Sequence, residues 1–101
     1  MKFDIFWELL EKKISKQREF YTLKRHVLFS VEFSFDKVMV KPNTTKFTRQ
    51  IARDDFQKVW NNACKISLDE QFNPVNYQDD TFHASYILAM IKSVIGNDSI
   101  D

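Results

Sequence analysis

Glycine is nearly missing from this sequence, with one residue in 101, and it shares that scarcity with two prolines and a single cysteine. One glycine cannot build the glycine-rich loops that cradle phosphates or dinucleotides. So few glycines and prolines also exclude long flexible linkers and low-complexity segments. Cys64 alone cannot form an intramolecular disulfide, and it leaves any metal site to His26, His83 and carboxylates. Its expected place is that of a small apolar residue buried late in a helix. No stretch approaches the roughly 18 apolar residues of a membrane-spanning helix. The start, Met1-Lys2-Phe3-Asp4, sets an acid before any apolar run, so no secretory leader is expected and the Asn43-Thr44-Thr45 sequon has no route to a glycan. A soluble protein in a reducing, cytoplasmic setting is the expectation.

Rings and charges are what the chain has in quantity. Ten Phe, three Tyr and two Trp point to a small core filled by a few bulky groups, within 44% hydrophobic and 29% charged residues. This length suits one domain with one core, expected over residues 1–96, with residues 97–101 as a frayed tail. Net charge is only +1, but its distribution is uneven. Residues 1–53 hold twelve Lys/Arg against six Asp/Glu, a balance of +6, and residues 54–101 hold three against eight, a balance of −5. Between Lys12 and Arg25 six bases face the single acid Glu19. Such asymmetry suits a polyanion-facing side, or two halves that neutralise each other across the fold.

Periodicity supplies the elements. Phe3, Phe6, Trp7, Leu10 and Ile14 mark one face of a helix over about 2–15, with Ile5 and Leu9 widening the stripe. Phe20-Tyr21-Thr22-Leu23 is a short β-favouring run. Val27, Phe29, Val31 and Phe33 share one face of a strand that pairs through the Ser34–Lys37 turn with Val38-Met39-Val40. A third strand, Phe47 to Ile51, runs into a helix with Phe56, Val59, Trp60 and Ala63 inward and Asp54 and Asp55 in its first turn. Ser67-Leu68-Asp69-Glu70 has capping-box spacing for one further turn, and Gln71 to Gln78, broken by Pro74, reads as irregular surface. Asp79-Asp80-Thr81 is expected to cap a last helix, Phe82 to Ile95, whose apolar arc is Tyr86, Ile87, Met90, Ile91 and Val94 and which Gly96 ends. The fold class is therefore α+β: a three-stranded antiparallel sheet with an N-terminal helix and two C-terminal helices, in the order α-β-β-β-α-α.

The succession Phe29-x-Val31, Lys37-Val38-x-Val40, Arg49-x-Ile51-x-Arg53-x-x-Phe56-x-x-Val59-Trp60 and then Ser85-Tyr86-Ile87-x-Ala89 resembles a small bacterial α+β accessory module. That module occurs in uncharacterised proteins and in restriction- or phage-defence-type proteins. The resemblance covers about Phe3 to Ile95, and most matched positions are apolar core. The chain departs from it at Ala52, where the pattern offers a Ser or Thr helix cap, and between Ser67 and Asp80. It implies a bacterial or phage setting of defence or nucleic-acid processing, and no catalytic residue.

Candidate chemistry is sparse. Asp79, Asp80 and His83 could supply metal ligands, but two acids before a helix are more simply its caps, and structural zinc asks for four mostly Cys/His ligands. Cys64 with His26 or His83 lacks a third, orienting group. Glu32, Asp36 and Lys37 do not have nuclease spacing. No enzyme activity, metal or cofactor is expected, which leaves binding. In one reading Lys12, Lys13, Lys16, Arg18, Lys24, Arg25, Lys41, Lys46, Arg49 and Arg53 line one side and contact nucleic-acid phosphates, with Tyr21 as a stacking ring. In the preferred reading the module binds a protein. It does so through a patch with Phe35, Phe47, Phe72 and Tyr77, or through the exposed edge of the strand Phe47 to Ile51, which could also pair copies of the chain.

Overall fold

The computed structural model describes residues 1–45, 47–96 and 100. Its elements run α1 (Phe3–Lys16), β1 (Glu19–Tyr21), β2 (Leu28–Ser34), β3 (Lys37–Pro42), β4 (Arg49–Ala52), α2 (Arg53–Ala63), a 3-10 turn (Pro74–Tyr77) and α3 (Ala84–Ile95). The α+β class is as expected. The sheet, however, has four antiparallel strands in the order β1-β2-β3-β4, not three. The added strand is the run at Phe20. Only one of its three residues is buried, so it carries no periodic signal of its own. What makes it a strand is Phe20 lying opposite Phe29 across the ladder, with the rings stacked 5.9 Å apart.

One face of the sheet is buried and the other is open. Phe20, Phe29, Val31, Val38, Val40 and Ile51 all point to the helices, while Tyr21, Glu32, Lys41 and Gln50 alternate to the other side and stay exposed. On α1 the inward stripe is Phe3, Phe6, Leu10 and Ile14, with Trp7 half-buried at its margin. Ile5 and Leu9 are 51% and 37% exposed. At 100° per residue they lie well away from the arc centred on Leu10, so the expected wider stripe does not form. Trp60 of α2 stacks on Phe6 at 4.8 Å and meets Phe3 edge-on at 5.9 Å; Trp7 packs instead on Phe56 and Phe33, at 5.0 and 5.1 Å. The two tryptophans thus sit in neighbouring ring clusters, bridged by Phe6 against Phe56 at 6.4 Å. The indole Nε1 of Trp60 is buried with no hydrogen-bond partner among the described residues.

The junctions are set by local contacts, and the start of α3 differs from expectation. Helix α2 starts with Ala52 at its N-cap, which offers no capping oxygen. Instead the Arg53 N–H donates to the Asp36 carbonyl (3.2 Å), so the β2–β3 hairpin satisfies a helix-terminal donor. In that hairpin Phe35 has φ 57° while Asp36 is not left-handed, the sign pattern of a type II′ turn, and Phe35 is 96% exposed. Helix α3 starts at Ala84, two residues after the expected Phe82, and Asp79 and Asp80 do not cap it. Of the tail expected to fray, only Ile100 is among the described residues, and its side chain is buried in the core.

Two substitutions test this packing. Trp60→Ala is expected to cost about 3–5 kcal/mol, whereas Trp60→Phe, which also removes an unpaired buried donor, should cost about 1 kcal/mol or less. Equal losses in a denaturant titration would contradict the ring stack. Phe35→Gly sheds about 1–2 kcal/mol of left-handed strain against about 0.4–1 kcal/mol of added freedom in the unfolded chain. The melting temperature should therefore rise slightly, and a fall would mean that Phe35 packs on something.

Candidate functional site

Between α2 and α3 the chain has no long element, yet it is firmly tied down. The Gln71 side-chain amide donates to the Ala63 carbonyl at the end of α2 (2.9 Å), and the Tyr77 hydroxyl donates to the Gln71 carbonyl (2.6 Å). Asn62 donates to the Asp80 carboxylate (2.9 Å). The Thr81 hydroxyl donates to Asp55 (3.2 Å) and accepts from the His83 N–H (3.0 Å). Asp80 is thus bonded to α2, and it is Thr81 that orders the approach to α3. The stretch expected to be irregular surface buries Gln71 and Tyr77. Tyr77, expected on a binding patch, is instead fully buried, because its hydroxyl reaches the Gln71 carbonyl inside the core. Burial, and then the negative charges of Asp80 and Cys64, push its phenol up to about 12. Cys64, expected buried, is exposed, because it falls after the last inward position of α2, Ala63.

The turn between β1 and β2 is built just as tightly. Thr22 is buried, its hydroxyl accepts from the Val27 N–H (2.9 Å), and its carbonyl accepts from the His26 N–H (3.1 Å). His26 takes a left-handed φ of 53° to close the loop. Leu23, Lys24 and Arg25 are therefore pushed outward on a fixed base.

These two segments, with the starts of β4 and α3, enclose a groove of about 490 Å³. Its basic rim is Lys24, Arg25 and Arg49, and among the described residues no aspartate or glutamate lines it. Its floor is apolar, from Leu23, Val27, Pro74 and Leu88 with the rings of Phe72 and Tyr86, and the exposed Val75 and Phe82 stand at its edge. Hydroxyls of Thr22, Thr44 and Ser85 and the amide of Asn73 complete it. Among the described residues neither Lys24 nor Arg25 has a carboxylate within ion-pair range. The Arg49 guanidinium lies 5.6 Å from the centre of the Tyr86 ring, which itself stands edge-on to Phe29 at 5.1 Å. Phe72 is covered by the Lys92 ammonium at 5.0 Å. Phe82, in contrast, is 97% exposed. Behind the groove, burial and the nearby Arg49 lower the His83 pKa against the opposing pull of Asp55.

The other expected site residues lie elsewhere. Lys12, Lys13 and Lys16 are on the last turns of α1. Arg18 pairs with Glu32 across the open side of the sheet (3.3 Å), and Arg53 pairs with Asp4 (2.8 Å) over the Phe3 ring. The bases expected to line one side therefore gather only in part: Lys24, Arg25 and Arg49 meet, and Lys46 lies outside the described residues. Phe72 is part of the groove, while Phe35 and Phe47 are exposed at other places, 96% and 78%. Phe47 precedes β4 rather than opening it, and β4 is an edge strand of only four residues. Sequence reasoning missed Phe82 as a site residue by reading it as the first residue of a helix. It also missed Leu23 and Val75, both exposed apolar residues inside turn-rich segments, which is the signal that could have found them.

No three His, Cys, Asp or Glu side chains gather as metal ligands among the described residues, and no described helix is long and apolar enough to cross a membrane. The buried phenol has a pH consequence. Its pKa is raised from 10.0 to about 12, so the stability it contributes is whole below pH 10 and is lost as pH rises through 12. Tyr77→Phe should cost about 1–2 kcal/mol at neutral pH by orphaning the Gln71 carbonyl, and it should remove that part of the alkaline slope. Identical alkaline unfolding of the two proteins would refute the assignment. Compared with protein-family models, with curated proteins and with solved structures, the chain matches none.

Proposed function

We propose that this domain is a non-catalytic binding module and that the groove receives a short, extended, acidic segment of a protein partner. The observation that carries this is a rim of three bases with no acid among the described lining residues, above an apolar floor. Charge complementarity asks for carboxylates at the rim, and the aliphatic floor suits peptide side chains. A nucleic-acid strand would want a longer cationic track and open rings for its bases to stack on. Arg18 and Arg53 are committed to Glu32 and Asp4. Of the three rings in the groove, Phe72 and Tyr86 are already covered by Lys92 and Arg49, which leaves Phe82. A cytoplasmic setting in bacterial defence or nucleic-acid processing, as an accessory to a larger assembly, belongs to the same proposal.

The double variant Lys24→Glu, Arg25→Glu tests it. Anisotropy titrations with labelled glutamate-rich peptides and with single-stranded oligonucleotides, at low and physiological salt, should show peptide binding that the variant weakens by about tenfold or more. The melting temperature should hardly move, because both side chains are exposed. Oligonucleotide binding tighter than peptide binding at physiological salt would reverse the choice of partner.

A further inference from the structure

Phe82 stands between two depressions. On one side is the groove with the basic rim. On the other is a second hollow of about 470 Å³, lined by Pro74, Val75, Gln78, Thr81, Phe82, Ala84 and Ser85. The two share Pro74, Val75, Phe82 and Ser85, so they adjoin as one channel with Phe82 common to both halves. The halves differ in charge: the first holds Lys24, Arg25 and Arg49, and among the described residues the second holds no charged one. Of the shared residues Phe82 is 97% exposed and Val75 58% exposed, so the most open apolar surface of this region is where the halves join.

The backbone beneath Val75 and Phe82 is held from both sides. Pro74 and Val75 open the 3-10 turn, where the Asn73 side chain accepts from the Val75 N–H (3.2 Å). After Phe82, the His83 N–H is bound by Thr81, which is bound in turn by Asp55. A ring this exposed on a backbone this restrained gives almost nothing to the core, and its area is left for something bound in the channel.

We infer that the channel reads a two-part signal in the partner segment: acidic residues over Lys24, Arg25 and Arg49, and an apolar side chain seated past Phe82 in the uncharged hollow. This rests on the groove being a peptide site, and it names what that peptide carries and which residue selects for it. Phe82 is the specificity-determining residue. The acids alone would be held by exposed, salt-screened contacts at the rim. The apolar anchor, closed over by Phe82 and Val75, supplies the water-excluded contact on which affinity and residence time depend.

A display library of randomised peptides selected on the full chain tests this directly. Recovered peptides are expected to combine an acidic run with one large aliphatic or aromatic residue a few positions away. For a recovered peptide made synthetically, Phe82→Ala in the protein and Ala at the peptide's apolar position should each weaken binding about tenfold. The two changes together should be little worse than either alone, because they remove the same contact. The fold should survive, since the Phe82 side chain is almost wholly exposed. Recovered peptides that are acidic with no apolar requirement, bound equally well by Phe82→Ala, would overturn the two-part signal and leave the groove as an acidic-peptide site. Selection that recovers no acidic peptides, or binding indifferent to Lys24→Glu with Arg25→Glu, would overturn the groove reading itself, and this inference with it.

Discussion

The burial of α3 is the constraint on which the rest of the structure depends. Seven of its twelve residues, Ala84, Ile87, Leu88, Ala89, Met90, Ile91 and Ile95, are buried. A helix hydrophobic on so much of its circumference cannot rest on a sheet with its back to water. It has to be enclosed, and α1, α2, β1 and the 3-10 turn all pack against it. The strand β1 and the turn around Tyr77 are weak elements taken alone, and their place in the fold follows from the surface that α3 presents.

That enclosure also produces the channel. To bring α3 back under the sheet, the chain after α2 must turn repeatedly, and each turn leaves backbone donors and acceptors to satisfy. Gln71, Asn73, Asn62, Thr81 and Tyr77 supply the partners, Asn62 by donating to the Asn76 carbonyl. The cost of this route is visible at Gln71, whose Oε1 is buried without a partner among the described residues. Its product is a rigid, non-repetitive wall facing the Thr22–Val27 turn, with apolar side chains that no regular element would have left outside. Binding surfaces on restrained loops above a packed scaffold arise in this way.

How much of this was legible beforehand varies with the range of the forces involved. Helix α1, the β2–β3 hairpin and the inward face of α2 depend on neighbours within a few residues, and their periodicity announces them. Phe20 was a β-favouring residue with no visible purpose until Phe29 lay opposite it. Tyr77 looked like an aromatic in a polar, proline-broken stretch, and only the Gln71 carbonyl and the wall around it explain its burial. The bases read alike as a list, but their neighbours separate them: Arg18 and Arg53 find carboxylates, while Lys24 and Arg25 find none among the described residues.

The sequence by itself determined the α+β class, the phases of α1, β2, β3 and α2, and the scarcity of groups for metal or nucleophilic chemistry. These follow from residue types and from spacings along one element, where side-chain direction is set by local backbone geometry. Tertiary structure alone decided that β1 joins the sheet, that α3 lies at the centre, and that three bases and Phe82 share one channel. Those outcomes depend on which residues, distant along the chain, come to exclude water from one another, and that is settled only when the whole core closes.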